Sequence, residues 1–298
     1  MELVATLITG PGLKDLTERR VGTVLDALQA VGWSATQAAW LNKNIACDIF
    51  VEGPTLEEAR ALVRRDFANT GFDFVVQPRE QRRKKLLLAD MDSTIVVGET
   101  LDELADKAGI KDQVAEITAR AMRGEIDFKA ALFERVNMLK DLPVDRLDQT
   151  LAGIVLTPGA RTLVRTMRAH GAFTILVSGG FRLFTRHVAA IAGFHEHQAN
   201  DLIIEDDRLT GRVAEPILDK EAKLALLNRS AAERQIPLSA SLTTGDGAND
   251  LPMLQAAGLG VAYHAKPVVE AAAPAAIRNG DLTALLYLQG YNFSEFRS

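Results

Sequence analysis

The apolar positions of the first 78 residues follow strand-like and helix-like periods in turn. Four stretches show the short apolar runs or the alternation typical of strands: residues 2–8, 33–41, 45–51 and 72–76. Two more repeat with the spacing of one helix face: residues 21–28 and 59–67. The predicted order is βαββαβ, a ferredoxin-like split unit. We therefore expect a first α+β domain over residues 1–80.

The pattern changes at Lys84, where a continuous apolar run over residues 86–89 ends abruptly at Asp90. Such runs are typical of strands that are buried on both faces of a parallel sheet. Comparable runs recur further along the chain, at residues 173–177, 241–244 and 259–263. Helical stretches separate them, so the sequence predicts a doubly wound α/β sheet over residues 84–298.

Residues 99–157 read as helical throughout and lie between the first two of these strands. A helical insertion at this point lies over the carboxyl end of the first strand, where it can act as a cap or lid. Residues 200–218 carry turn residues near Asp207 and Gly211, which predicts a strand pair outside the main sheet.

The composition and charge of the chain argue against several classes of function. The chain has 298 residues, 47% of them hydrophobic and 24% charged, with a net charge of -5. It has no apolar stretch of membrane-spanning length and no basic signal-peptide start, so we expect a cytoplasmic protein with no membrane partner. The negative charge argues against a nucleic-acid partner, and five basic residues within 79–85 are interpreted as a solvated linker. Cys47 is the single cysteine, which excludes an internal disulfide.

Polar residues stand where the predicted strands end, and a ligand crevice in an open α/β sheet lies at those carboxyl ends. These residues are Asp90 and Asp92 after the first run, Ser178, Gly179 and Gly180 after the second, and Asp246, Asn249 and Asp250 after the third, with Lys223 on a helix near 219–230. Carboxylates that converge without His or Cys point to Mg²⁺. The lysine, the serine hydroxyl and the glycine N–H groups can hold a phosphate.

This combination predicts phosphoryl transfer. Asp90 can attack phosphorus to form an aspartyl-phosphate, and Asp92 can act as general acid and then as general base. Each motif has a simpler interpretation as a turn or a helix cap, and Lys223 as a surface lysine. Three consecutive strand ends that all carry residues suited to phosphate chemistry favour the functional interpretation.

From about residue 84 to 290 the chain resembles the phosphatases of the haloacid dehalogenase superfamily, and among them the phosphoserine phosphatases. The resemblance rests on four motifs: Asp90-x-Asp92-x-Thr94, Ser178, Lys223 and Gly245-Asp246-Gly247-x-Asn249-Asp250. It implies an Mg²⁺ site on Asp90, Asp246 and the backbone carbonyl of Asp92. It also implies phosphate binding by Ser178, Gly179, Lys223 and Asn249, with Asp250 and Gly180 in supporting positions.

The same resemblance assigns substrate-binding residues in the cap. Glu99 is at the position that binds the substrate ammonium, Arg135 at the one that binds its carboxylate, and Met122 and Phe128 at apolar positions. Without the resemblance, Met122 and Phe128 would be interpreted as core residues and Glu99 and Arg135 as solvated ones.

The implied function is Mg²⁺-dependent hydrolysis of O-phospho-L-serine, the last step of serine biosynthesis. Two alternatives stay open: a phosphotransferase or phosphatase for another small ester, and an amino-acid-sensing regulatory protein. The first 80 residues resemble ACT-type regulatory domains, a fold that serves several tasks, including the formation of a homodimer.

Overall fold

The structure is a computed structural model that describes residues 2–67, 70–122 and 125–298, without the side chains of Ala38 and Met122. Within these ranges every helix is too short or too polar to cross a lipid bilayer.

The N-terminal part is an antiparallel sheet with two helices, in the predicted βαββαβ order. Its elements are β1 (Leu3–Ile8), α1 (Glu18–Ala30), β2 (Ser34–Asn42), β3 (Ala46–Glu52), α2 (Leu56–Asp66) and β4 (Asp73–Pro78). The strand order is β2-β3-β1-β4. The apolar faces of both helices pack on this sheet in one core cluster. Thr17 caps α1, and Thr55 with Glu58 forms a capping box at α2.

The second part is a six-stranded parallel sheet with the order β12-β11-β10-β5-β6-β7. Its strands are β5 (Leu86–Asp90), β6 (Phe173–Phe181), β7 (Glu196–Asn200), β10 (Ser241–Gly245), β11 (Leu259–Tyr263) and β12 (Ala275–Ile277). The helices along it are α7 (Ala160–Ala169), α8 (Arg182–Ala192), α9 (Lys220–Glu233), α10 (Leu251–Ala256), α11 (Pro267–Ala272) and α12 (Ala284–Leu288). The doubly wound fold is confirmed.

Two strands of this sheet, β7 and β12, were not among the predicted ones. The sequence of β7 is largely polar because it lies at the edge of the sheet, and β12 has only three residues. The predicted strand pair is a two-stranded sheet of β8 (Leu202–Glu205) and β9 (Arg208–Val213). Asn200, at the start of the predicted region, belongs instead to the main sheet.

In the part of the chain that the structure describes, the predicted cap consists of four helices between β5 and α7. They are α3 (Thr100–Lys107), α4 (Lys111–Met122), α5 (Phe128–Asn137) and α6 (Asp145–Gly153). The chain enters and leaves the cap side by side, since Val96 and Leu156 form an isolated antiparallel bridge and the N–H of Val97 donates to the carbonyl of Val155 at 2.9 Å. The cap is therefore attached to the sheet through a narrow pair of backbone segments.

The interpretation of residues 79–85 as a solvated linker is wrong for two of its basic residues. The side chain of Arg82 is only 12% exposed and forms two hydrogen bonds with the carboxylate of Asp48, which is 6% exposed. Lys84 is also buried, and its Nζ donates to the carbonyls of Gln81 and Ser239. This segment therefore ties the N-terminal sheet to the parallel sheet through buried polar contacts.

Candidate active site

The last residue of β5 and the tight loop that follows it present Asp90 and Asp92 at the carboxyl end of the sheet. Ser93 adopts a left-handed conformation with φ of 53°, which turns the chain sharply after the strand. Thr94 is fully buried, and its hydroxyl lies 3.4 Å from Asp246 Oδ1. The loop therefore connects the end of β5 with the end of β10.

A buried lysine joins two of the carboxylates. Lys223 extends from α9, and its Nζ lies 2.5 Å from Asp90 Oδ1 and 2.7 Å from Asp250 Oδ1. Asp250 can approach this closely because β10 ends in glycine: a Cβ on Gly245 would lie 2.4 Å from the Asp250 side chain. The N–H of Gly247 also donates to Asp250 Oδ2 at 3.0 Å. The arrangement holds the ammonium beside the nucleophile predicted from the sequence.

The charges of this group shift its proton affinities. Burial raises the pKa of Asp90 well above its usual value, repulsion from Asp250 adds to the rise, and Lys223 opposes it. Burial and Asp250 also raise the pKa of Asp246, to about 6. Burial alone would lower the pKa of Lys223, but the carboxylates of Asp250 and Asp90 outweigh it and the pKa lies above the usual value. Burial and repulsion therefore make the ionised forms of Asp90 and Asp246 unfavourable in this group.

A cation is the natural partner for such a group. Asp90, Asp246 and Asp250 each offer a carboxylate oxygen, and these oxygens lie within 4.8 Å of one another. Hard oxygen donors of this kind fit a divalent ion such as Mg²⁺, whose charge would favour the ionised carboxylates. The cluster contains two of the three predicted metal ligands and adds Asp250, which the sequence assigned to a supporting position.

Asp92, the third predicted ligand, uses its carboxylate differently. Its Oδ1 accepts hydrogen bonds from the backbone N–H of Thr100 at 2.8 Å and from the Thr100 hydroxyl at 2.7 Å. Its Oδ2 accepts from Ser178 Oγ at 2.9 Å, and the N–H of Gly180 donates to that same Ser178 oxygen at 2.8 Å. These contacts hold Asp92 between the first turn of the cap and the end of β6. The backbone carbonyl remains its predicted metal-binding atom.

These groups line a cavity of about 630 Å³ between the sheet and the cap. The predicted residues that line it are Asp90, Asp92, Glu99, Phe128, Arg135, Ser178, Gly179, Gly180, Asp246 and Asn249. Phe128 lies over Gly179, where an added Cβ would be 3.3 Å from its ring. Lys223 and Asp250 are buried behind the residues that line the cavity. Met122 ends α4, and its side chain lies outside the described residues.

Glu99 and Arg135 bring opposite charges to the cap side of the cavity. Glu99 is solvent-accessible through the cavity, yet burial by the surrounding protein and repulsion from Asp92 raise its pKa to about 7. Burial lowers the pKa of Arg135, and Asp102 and Glu99 oppose that change. Arg135 Nε donates to the Ala131 carbonyl at 3.2 Å. The cavity thus offers an anionic and a cationic group to a zwitterionic ligand.

Sequence reasoning missed several residues of this site. Thr100 orients Asp92, the hydroxyl of Ser93 donates to Glu99 Oε1 at 2.7 Å, and Asp102 and Lys266 line the cavity. Ser93 and Thr100 are the immediate neighbours of Asp92 and Glu99 in the sequence, and this proximity was the available signal. Lys266 carried no such signal, because it follows β11 far along the chain.

Comparison with known proteins agrees with this geometry. The sequence model of the haloacid dehalogenase-like hydrolases matches residues 87–255. The phosphoserine phosphatase of Streptomyces coelicolor is 44% identical over 252 residues, 84% of this chain, and this chain spans 62% of its length. The phosphoserine phosphatase of Streptococcus thermophilus is 46% identical over 199 residues, which are 67% of this chain and 93% of that protein.

A solved structure extends the similarity to the fold. It is the structure of an analogue of the phospho-aspartyl intermediate of phosphoserine phosphatase, and it matches with a TM-score of 0.64 at 38% identity. The match covers 69% of this chain and 98% of that one. The family match and these relatives show that the chain belongs to the phosphoserine phosphatases, within the haloacid dehalogenase-like hydrolases.

Proposed function

We propose that the protein hydrolyses O-phospho-L-serine to L-serine and phosphate in the last step of serine biosynthesis. One observation carries the proposal: Asp90, in contact with Lys223, opens into the same cavity as Glu99 and Arg135. Asp90 and Lys223 suit phosphoryl transfer. Glu99 and Arg135 suit an amino acid that carries both an ammonium and a carboxylate. The Streptomyces coelicolor and Streptococcus thermophilus relatives are phosphoserine phosphatases, which supports the same substrate.

In the proposed complex, the phosphoryl group binds to Ser178 Oγ, the N–H of Gly179 and Lys223, with Asn249 beside it. Glu99 pairs with the substrate ammonium and Arg135 with its carboxylate, which the planar guanidinium can bind through two hydrogen bonds. Phe128 excludes water from the reacting groups, and the apolar role predicted for Met122 concerns a side chain outside the described residues.

The proposed reaction has two steps. In the first, an Asp90 carboxylate oxygen attacks phosphorus, the bond from phosphorus to the serine oxygen breaks, and that oxygen takes a proton from Asp92. In the second, Asp92 takes a proton from water while the water oxygen attacks phosphorus. The bond to Asp90 then breaks, and phosphate leaves with both aspartates restored.

Mg²⁺ is the proposed cofactor, held by Asp90, Asp246 and the carbonyl of Asp92, with Asp250 beside them. When bound, it supplies positive charge that offsets the negative charge of the phosphate oxygens. The raised pKa of Asp246, caused by burial and by Asp250, supports a cation at this place.

We also propose the organisation predicted from the sequence. Residues 1–80 form an ACT-like domain and residues 84–298 the phosphatase domain, with the cap over 99–157. The protein acts in the cytoplasm, and its proposed homodimer is tested by sedimentation equilibrium, in which a monomer mass at micromolar concentration would contradict it.

The central test measures phosphate release from O-phospho-L-serine, O-phosphothreonine, glycerol phosphate and p-nitrophenyl phosphate, with Mg²⁺ or with EDTA. We expect a preference for phosphoserine that requires the metal and is abolished in Asp90→Asn. A matched Asp26→Asn variant, on α1, serves as control. Turnover of the other esters alone would refute the substrate, and phosphate transfer to an added alcohol would favour a phosphotransferase.

A further inference from the structure

A second cavity lies between the N-terminal sheet unit and the parallel sheet, away from the active site. Its volume is about 100 Å³, and its walls come from α2 and β4 on one side and from α11 and β12 on the other. Its lining shares no residue with the lining of the active-site cavity. Nothing in the proposed phosphatase reaction uses it.

Two arginines face this cavity from one side of α2. Arg60 and Arg64 are one helical turn apart and both line the cavity. The Nε of Arg60 is buried and has no hydrogen-bond partner among the described residues. Burial and repulsion from Arg64 lower the pKa of Arg60, while Glu57 opposes this change. A buried donor without an acceptor is unfavourable, and the charge of Arg60 adds to that of Arg64 at this end of the cavity.

Two acidic residues next to the cavity, Glu270 and Asp73, are already engaged elsewhere, and Glu57 offsets part of the charge of Arg60. Glu270 lines the cavity, but its Oε2 accepts from Arg278 Nε at 2.6 Å, and that pair largely neutralises itself. Asp73 accepts hydrogen bonds from the N–H groups of residues 278, 279 and 280, which anchors the loop after β12 to β4. The arginines on α2 therefore dominate the charge of the cavity.

The remaining wall is apolar and limits the size of a ligand. Phe72 and Phe74, with ring centroids 6.5 Å apart, belong to this wall. Cavities of about 150 Å³ hold a benzene molecule, so a cavity of this size suits a smaller group, such as a branched chain of three or four carbons. The site combines a cationic end with a small apolar end.

We propose that this cavity binds a short carboxylate with a branched aliphatic chain. The carboxylate pairs with Arg60 and Arg64, and the chain packs against Phe72 and Phe74. The complex offsets the positive charge of the two arginines and removes apolar surface of the ligand from water.

Isothermal titration calorimetry of the full chain with 3-methylbutanoate tests the proposal, with neutral 3-methylbutanamide as the matched probe. We expect saturable millimolar binding of the acid and none of the amide. Arg60→Met and Arg64→Met should each weaken binding about tenfold, the loss of a charge-assisted hydrogen bond. Arg19→Met, which removes an exposed arginine of α1, should bind as the wild type does.

The active site also holds an arginine, and Arg135→Met separates the two sites because it should leave the binding unchanged. Equal binding of acid and amide, full binding in Arg60→Met and Arg64→Met, loss of binding in Arg135→Met, or no saturable binding would each overturn the proposal. The titration contains no phosphoserine, so its failure would leave the proposed phosphatase activity intact. Circular dichroism of each variant verifies its fold.

Discussion

Replacing Thr100 with valine is expected to slow the reaction of phosphoserine far more than that of an ester with a good leaving group. The Thr100 hydroxyl donates to Asp92 Oδ1 at 2.7 Å, and the backbone N–H of the same residue donates to the same oxygen at 2.8 Å. Valine keeps the branched shape of this buried side chain and the backbone bond. It therefore removes one hydrogen bond from the proposed general acid and little else.

The magnitude follows from the type of bond that is lost. A hydrogen bond to a charged group contributes about 1.5–3 kcal/mol. If the lost hydrogen bond is one that holds Asp92 in place in the transition state, kcat/KM for phosphoserine falls by about 10- to 150-fold. This loss stays within the factor of about 10² to 10⁴ that general acid–base catalysis supplies. Asp92→Asn, which removes the acid itself, should cost at least as much as Thr100→Val.

The assay compares kcat/KM for phosphoserine and for p-nitrophenyl phosphate. This parameter reports the steps up to departure of the leaving group, so the shared hydrolysis of the aspartyl-phosphate does not mask the difference. In the proposed mechanism a seryl alkoxide takes a proton from Asp92 as it leaves, whereas p-nitrophenolate is a good leaving group that needs no proton. We expect p-nitrophenyl phosphate to lose less than about threefold, and Thr100→Ser to retain most activity toward both.

Two results would refute this reasoning. An equal loss for the two substrates would mean that the hydroxyl supports the fold of the cap rather than the acid. A loss in Thr100→Ser as large as in Thr100→Val would mean that the methyl group, not the hydroxyl, is required. Melting temperatures of both variants separate these effects from unfolding.

Three further predictions concern stability. Arg82→Met leaves the buried carboxylate of Asp48 unpaired and should lower the free energy of unfolding by about 3–5 kcal/mol in urea titrations, a loss that the exposed control Arg79→Met should not show. Arg60→Met removes a buried donor without a partner and should raise the melting temperature by about 2 °C or more, whereas a lower value would contradict the cavity's electrostatics. Burial raises the pKa of Asp246 to about 6 in the metal-free fold. This fold therefore binds a proton more readily than the unfolded chain does, and its free energy of unfolding decreases as pH rises through 6. Mg²⁺ should therefore raise the melting temperature more at pH 7.5 than at pH 5.5, and an equal rise at both would argue against binding at these carboxylates.

The sequence predicts the parts of this fold that depend on local pattern. The apolar run that ends at Asp90 identifies β5 because a strand covered on both faces has almost no polar positions. The edge strand β7 lacks that signature, since residues 196–198 face partly toward solvent and are polar. The parallel arrangement then brings Asp90, Ser178 and Asp246 together without further information, because the carboxyl ends of adjacent parallel strands share one side of the sheet.

Contacts between distant segments are less accessible to sequence reasoning. Arg82 belongs to a run of basic residues, and such runs are usually solvated. Its burial depends on Asp48, 34 residues earlier, and on the carbonyls of Tyr287 and Leu288, more than 200 residues later. No periodicity links these positions. The cavity beside Arg60 is equally invisible in the sequence, because residues within 60–67, 72–76 and 270–278 form its walls only after both sheets have formed.

A single turn of the chain connects the cap with the residues of the proposed reaction. Glu99 and Thr100 are consecutive: the first is the proposed ligand of the substrate ammonium, and the second holds the carboxylate of Asp92. This turn follows the narrow connection at Val96, so a movement of the cap relative to the sheet would move the ammonium ligand and the support of the acid together. In the proposed complex, binding of the substrate ammonium at Glu99 would also fix the position of Asp92, the proposed general acid. A phosphate ester without an ammonium lacks this contact, and we infer that part of the specificity for phosphoserine is expressed in the rate of proton transfer as well as in affinity.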